Sequence, residues 1–274
     1  GGDQLCAGLA FMREVLYEPN TESGAFPSLA LNQEKAALRH MLDGLFSDKL
    51  AWARQRCVEE MLPTHPCALS ALGKKADLER IDGHGLMDFF RESISATQLT
   101  LYVTDSRRTD EVAEICRGLF EDVPTSGPRA LHEDSVAPRV TANSRPRKVI
   151  DLLDVQQGRI VLAYRTDVRL ASPRFPALLI LNQALGGDLN SRLYRRLREG
   201  AGICYHADSF IEPACGLLML EASVDSPDCE IGLSLMEEEM RSLVESSLTA
   251  SELEQSRLSL IKSLEALDED RTAA

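Results

Sequence analysis

Apolar side chains recur at helical spacing through residues 5–94. Leu9, Met12 and Leu16 share one helix face, and the segment 31–61 continues the same period. This pattern predicts that the first part of the chain is mainly helical. After the helix around Leu9, the predicted helices cover about 31–61, 85–95 and 109–120.

One short run, Leu99–Val103, has the composition of a β-strand in this helical part of the chain. A single strand leaves its backbone groups unpaired, and about three strands are needed for a stable sheet. We therefore expect that the partner strands come from elsewhere in the protein or are missing from this sequence.

Residues 122–146 contain four prolines among Ser, Thr and Gly, with no hydrophobic period. This composition is typical of a linker. The sequence therefore predicts two domains, 1–121 and 147–274, joined by this linker.

The region 147–274 is predicted to hold four strands and four helices. Gln156–Gly158 indicates a hairpin between the first two strands, Gly186 and Gly187 indicate a left-handed end to the first helix, and Thr249 with Glu252 forms a capping box. The order is strands 148–155 and 159–165, helices 172–186 and 190–199, strands 203–210 and 216–224, and helices 226–244 and 249–267. This order predicts an α+β fold in which helices cover one face of an antiparallel sheet.

Charge and composition exclude several classes of function. The net charge of −13 disfavours a nucleic-acid partner, because such proteins concentrate Lys and Arg on one face. No apolar run approaches the roughly 20 residues that span a bilayer, so no membrane association is predicted. The seven scattered cysteines never form CxxC, which favours reduced thiols and a cytoplasmic location.

The sequence contains no recognisable catalytic or metal-binding motif. A zinc hydrolase commonly places two histidines on one helix face, but HxxxH and HxxEH are both absent. The GxSxG and GxxxxGK[ST] motifs are absent as well. We therefore predict no metal ligands and no catalytic residue acting alone in this chain, and we interpret each histidine as a surface or packing residue. The histidines are His40, His65, His84, His132 and His206.

The strongest candidate site is the segment 190–205. Arg198 lies near the end of the predicted helix and Tyr205 lies on the strand that follows, so the two side chains can converge. Regular alternation would place Tyr205 with Ala207 on one side of that strand and Cys204 on the other. Spacing alone also fits a basic helix whose arginines cap carbonyl groups and balance an acidic surface.

The segment 181–210, LNQALGGDLNSRLYRRLREGAGICYHADSF, resembles the C-terminal domain of the pitrilysin/insulinase superfamily of zinc peptidases. The earlier segment 32–56 is similar to the late helices of that superfamily's first domain. The resemblance implies two related domains, each a sheet with helices on one face. It also implies that the first domain is incomplete here and that sequence precedes residue 1.

The resemblance further implies roles for individual residues. Arg198 and Tyr205 match the arginine and tyrosine that the superfamily's C-terminal domain contributes to substrate binding and transition-state support. The surrounding motif makes Ser191, Arg192 and Glu199 secondary candidates.

Two departures from the superfamily change the expected function. The HxxEH helix has no counterpart, and the third zinc ligand, counted from Glu34, falls on Met41, whose thioether is a poor zinc ligand. This pattern is similar to the non-catalytic subunit of bacterial two-chain members. It implies a homologous zinc-bearing partner subunit, a peptide substrate and zinc held only by that partner. The alternatives are a structural or peptide-binding subunit without proteolysis, and a fragment of an active zinc peptidase that lacks its HxxEH helix.

Overall fold

The computed structural model describes residues 4–96, 99–121, 123 and 146–273. Its contacts divide the chain into two compact units, 1–43 with 72–136 and 44–71 with 137–274. The predicted linker lies outside the described residues, except for its residues 123 and 146. The assignment of 1–121 and 147–274 to two related peptidase-like domains stays a prediction.

The first unit is helical throughout its described elements. An edge-to-face contact between Phe26 and Phe90, with ring centroids 5.8 Å apart, and the fully buried side chain of Met87 contribute to its core. Lys75 and Asp43 form an exposed ion pair at 2.7 Å. Its helices are α1 (Gln4–Tyr17), most of α2 (Ser28–Leu45), α4 (Lys75–Leu78), α5 (Gly83–Ala96) and α6 (Thr109–Phe120).

The single long helix predicted over 31–61 is in fact two helices. The first, α2, ends at Leu45, and α3 (Lys49–Met61) begins after Asp48. The Asp48 carboxylate accepts hydrogen bonds from the backbone N–H groups of Leu50 and Ala51, which would otherwise lack partners at a helix start. This N-cap explains the break.

The predicted strand Leu99–Val103 is wrong. This segment has no regular secondary structure, and its residue Tyr102 is 90% exposed. No described residue provides a neighbouring strand in this unit, so the backbone groups of the segment have no ladder to join.

The second unit is built on a three-stranded antiparallel sheet with the order β1-β3-β2. The central strand β3 is buried at every position but its last. The strands are β1 (Gln157–Arg165), β2 (Cys204–Glu212) and β3 (Leu217–Asp225). The helical elements are α3, α7 (Phe175–Gly186), α8 (Arg192–Tyr194), a π-helical turn (Arg195–Gly200), α9 (Cys229–Ser246) and α10 (Ala250–Ala273).

The predicted strand 148–155 and its hairpin are also wrong. Residues 146–155 form no strand, and Gln157 and Gly158 belong to β1, which pairs with β3 instead. The polar side chains of the segment bind helices: Lys148 pairs with Glu230 at 2.7 Å, and Asp151 accepts a hydrogen bond from Trp52 at 3.3 Å. These contacts hold the segment while most of its apolar side chains remain exposed.

Apolar side chains of β3 point alternately to two cores. Leu218, Leu220 and Ala222 pack with Leu185 of α7 and Met236 of α9. On the opposite face, side chains of β3 pack with α3 and the residue that follows it: Leu217, Met219, Val58 and Leu62. The mixture of helices with an antiparallel sheet confirms the α+β class.

The helix α7 ends at the predicted glycine pair, but without the predicted left-handed cap. Gly187 has a φ of −76°, so no left-handed cap is present. Glycine is required at 186 by a close approach, because a Cβ there would lie 2.4 Å from the backbone nitrogen of Ser209 on β2. The capping box of α10 is confirmed, since Thr249 and Glu252 exchange backbone-to-side-chain hydrogen bonds of 2.9 and 3.2 Å.

Candidate functional site

The site begins at the π-helical turn Arg195–Gly200, which continues directly from α8. The backbone N–H of Ala201 donates to the carbonyl of Arg196 at 3.1 Å, a bond that spans five residues. Gly202, with a φ of +69°, then reverses the chain into β2. The sequence predicted an ordinary α-helix here. Single π-helical turns are rare and frequently occur at functional sites.

A β-bulge at Tyr205 is the second irregular feature. Cys204 pairs with Val224 and His206 pairs with Ser223, so Tyr205 is an extra residue with no partner of its own on β3. The bulge brings Cys204 and Ala207 to the same buried face. The predicted strict alternation from 203 onward is therefore wrong for Cys204. The side chain of Tyr205 is 56% exposed.

Arg198 lies against this bulge. Its Nη1 donates a hydrogen bond of 2.7 Å to the carbonyl oxygen of Cys204, which belongs to the peptide group that leads into Tyr205. A guanidinium group has five N–H donors, and this bond uses one of them. The Tyr205 hydroxyl donates to a carboxylate oxygen of Asp225 at 3.4 Å. The structure thus places Arg198 against the backbone beside Tyr205. Its hydrogen bond to a carbonyl oxygen also fits the alternative from the sequence, in which the arginines of this helix cap carbonyl groups.

The secondary candidates lie in different surroundings. Arg192 donates two hydrogen bonds of 2.8 Å to the carboxylate of Glu252 and a third, of 2.9 Å, to the carbonyl of Ser247. The Arg192 guanidinium lowers the pKa of Glu252 to about 2. These bonds tie α8 to the start of α10 and give Arg192 a structural role. Ser191 is buried, and Glu199 is exposed.

A polar cluster that the sequence did not predict lies on the face of the sheet toward α3. Glu221, at the centre of β3, is fully buried, and Arg54 of α3 binds both of its carboxylate oxygens. His206 Nε2 is 3.1 Å from one of those oxygens. Asp208, directly opposite Glu221 in the sheet, completes the cluster, and burial raises the pKa of its carboxyl group. The one signal in the sequence is a glutamate within an apolar strand.

Atoms of His206, Asp208 and Glu221 lie within 4.8 Å of one another, close enough to share a metal ion. However, both oxygens of Glu221 already bind the guanidinium of Arg54, whose positive charge opposes a second cation at the same place. Met41, at the position of the third ligand implied by the resemblance, is 52% exposed. With HxxEH absent from the sequence, the described residues do not fit the zinc site of the pitrilysin/insulinase peptidases.

The helical elements, the sheet and the motif around the bulge are those of a peptidase-like fold, and HxxEH does not occur in these 274 residues. Residues 85–260 match the family described as the peptidase M16 inactive domain, and the chain belongs to this family. The match confirms the resemblance found in the sequence.

Two curated proteins are similar in sequence to this chain. The chain is 28% identical over 251 residues to "Probable inactive metalloprotease YmfF" of Bacillus subtilis, covering 91% of this chain and 58% of the relative. It is 38% identical over 148 residues to "Uncharacterized zinc protease MT2852" of Mycobacterium tuberculosis, covering 54% and 33% of the two chains. The chain thus spans less than two thirds of the length of these relatives.

Solved structures have the same fold. A conserved protein from Enterococcus faecalis superposes with a TM-score of 0.75 at 21% identity, over 98% of this chain and 63% of the other. A peptidase M16 inactive domain from Pseudomonas fluorescens superposes with a TM-score of 0.69 at 18% identity, over 93% and 60%. Among the described residues, no helix is both long and apolar enough to cross a membrane.

Proposed function

We propose that this chain is the non-catalytic, substrate-binding subunit of a two-chain zinc peptidase. In this proposal a homologous partner subunit holds the zinc, and this chain contributes Arg198 and Tyr205 to a shared chamber in which peptides are cleaved. The cytoplasmic location indicated by the scattered cysteines, which never form CxxC, belongs to the same proposal.

The observation that carries the proposal is the bulge at Tyr205. Tyr205 is exposed and has no pairing partner on β3. Arg198 donates a hydrogen bond to the carbonyl oxygen of the peptide group that precedes Tyr205. A tyrosine hydroxyl and a guanidinium can both donate hydrogen bonds to a peptide carbonyl oxygen, where negative charge develops during hydrolysis. Arg198 and Tyr205 therefore offer donors to a bound peptide, and in this proposal the hydrolytic metal is held by the partner subunit.

The test is to mix this protein with a zinc-bearing homologue and measure peptide cleavage. Removal of one donor to a developing oxyanion lowers kcat by about 100-fold to 1,000-fold in well-studied peptidases. We expect Tyr205→Phe and Arg198→Ala each to reduce cleavage by the pair about 10-fold or more.

Arg196→Ala is the matched control, because Arg196 lies on the same π-helical turn and its side chain forms an exposed ion pair with Glu238. It should leave cleavage unchanged. Unchanged cleavage in both Tyr205→Phe and Arg198→Ala would contradict the proposed role of these residues.

A structural or peptide-binding role without proteolysis is the second candidate. The hydrogen bond from Arg198 to the Cys204 carbonyl favours it, because this bond alone accounts for the position of the arginine. Peptide binding by the isolated chain, with no cleavage when zinc-bearing homologues are added, would support this candidate over the first.

A further inference from the structure

A cleft of about 400 Å³ lies between α3 and the sheet of the second unit. Its wall is mainly apolar and includes Val58, Phe210 and Met219. Two cysteines from distant parts of the sequence also line it. Cys67 lies in a 3-10 helical turn after α3, and Cys215 lies in the turn between β2 and β3.

Both thiols belong to one apolar cluster. Cys215 is buried in this cluster, and Cys67 is half-buried against it. Neither takes part in a disulfide in this structure. Two thiols that line one cleft and pack in one cluster can form a disulfide after a local movement, provided that an oxidant reaches one of them.

We propose that Cys67 and Cys215 are a redox modification site, at which hydrogen peroxide converts the thiol pair to a reversible disulfide. Cys67, the more exposed thiol, reacts first: its thiolate sulfur attacks one oxygen of hydrogen peroxide and the O–O bond breaks. The departing hydroxide takes up the proton that the thiol released, so a sulfenic acid and a water molecule form. The Cys215 sulfur then attacks the Cys67 sulfur. An S–S bond forms, and the sulfenic oxygen leaves as a second water with the proton from Cys215.

The surroundings of Cys215 set the rate of the second step. Burial, with a contribution from the neighbouring thiol, raises the pKa of Cys215 to about 12. Because the thiolate is the nucleophile, only a small fraction of Cys215 is reactive near neutral pH. Disulfide formation should therefore become faster as the pH rises from about 7 to about 9.

The bond would change the mechanics of the second unit. It would join the turn that follows α3 to the β2–β3 turn, and so hold α3 on the sheet face that carries Glu221. A disulfide that closes a long loop restricts the unfolded chain, so the oxidised protein should melt roughly 5–10 °C higher than the reduced protein.

The experiment treats the full chain with hydrogen peroxide, alkylates the remaining thiols, and maps peptides by mass spectrometry without reductant. We expect a peptide pair linked through Cys67 and Cys215, which dithiothreitol separates. Melting of the same oxidised and reduced samples supplies the second measurement. Both measurements use the unmutated protein.

Variants then distinguish the two cysteines. Cys215→Ser should leave Cys67 as a sulfenic acid that dimedone labels, whereas Cys67→Ser should abolish both the linked peptide and the label at this pair. Cys57→Ala is the matched control, because Cys57 packs against the same cluster, and it should retain the linked peptide.

Two results would overturn the proposal. One is that both cysteines of the oxidised, unmutated protein are recovered as free thiols or as separate sulfinic acids. The other is that either cysteine is found linked to a different residue. Neither result bears on peptide cleavage, so this proposal stands apart from the proposed function.

Discussion

At the scale of single residues, Glu221 shows most clearly how the fold depends on a distant partner. Its carboxylate is fully buried at the centre of the sheet, and Arg54 supplies two hydrogen bonds to it from α3. A buried charge is tolerated when it is paired, but it is very costly when its partner is removed. The arginine is therefore needed for stability more than its partly exposed position suggests.

We expect Arg54→Met to lower the free energy of unfolding by about 3–5 kcal/mol, because it removes the guanidinium group that binds both oxygens of the buried Glu221 carboxylate. Urea unfolding followed by circular dichroism measures this loss. The double variant Arg54→Met with Glu221→Gln should recover a large part of it. A loss below about 1 kcal/mol in the single variant would contradict the argument, since that is the value of an ordinary surface ion pair.

This residue also marks a limit of prediction from sequence. A glutamate inside the apolar run Leu217–Val224 indicates a buried charge, which is visible in the sequence. The partner cannot be identified in the same way, because Arg54 lies 167 positions earlier and only the packing of α3 on the sheet brings them together. Arg198 and Tyr205 could be selected because their spacing is local and a family motif surrounds them.

At the scale of elements, the start of α10 combines a local and a distant stabilising contact on one side chain. Glu252 accepts hydrogen bonds from Thr249 within the capping box and from Arg192 of α8. The Arg192 hydrogen bonds lower the pKa of Glu252 to about 2 from an ordinary value of 4.5. The ionised form is therefore the one that the fold stabilises.

The sign of the resulting pH dependence follows from this shift. Since the pKa in the folded state is lower than in the unfolded state, the contribution of Glu252 to stability is complete above about pH 4.5. It is lost as the pH falls toward about 2. We expect Glu252→Gln to be less stable than the original protein at pH 7 and to lose less stability between pH 5 and pH 2. Thermal melting across this range checks it, and parallel curves for the two proteins would contradict the assignment.

Elements with local signals were predicted well, and elements set by packing were not. The capping box of α10 is encoded by four adjacent residues, so the sequence was sufficient. The π-helical turn and the bulge depend on how α8 and β2 pack against β3, and no local sequence pattern predicts either feature. The segment 148–155 has the composition of a strand but binds α3 and α9 through its polar side chains instead.

At the scale of the whole molecule, the chain combines the fold of the M16 family with a sequence that lacks HxxEH. Relatives that match this chain are named both as an inactive metalloprotease and as zinc proteases. The metal content of the purified chain is therefore an informative quantity. It distinguishes a subunit that relies on a partner's zinc from one with a metal site of its own.

We expect purified protein to contain zinc well below one equivalent by inductively coupled plasma mass spectrometry, because Arg54 already occupies the carboxylate of Glu221. The matched sample is the variant Arg54→Met. This variant removes the positive charge that competes with a metal ion for the side chains of His206, Asp208 and Glu221. Stoichiometric zinc in the original protein that disappears in His206→Ala would contradict this expectation and would assign the metal to His206, Asp208 and Glu221.

The bulge affects how readily the residue at position 205 can be substituted. Cys204 and His206 are paired with consecutive residues of β3, so a strand that lacked Tyr205 would still align with the same partners. Tyr205 is thus a supernumerary residue in the hydrogen-bonding pattern, and the fold places few demands on its side chain. Other side chains could occupy this position without altering the alignment of the sheet, so selection at 205 can act on what the exposed side chain touches.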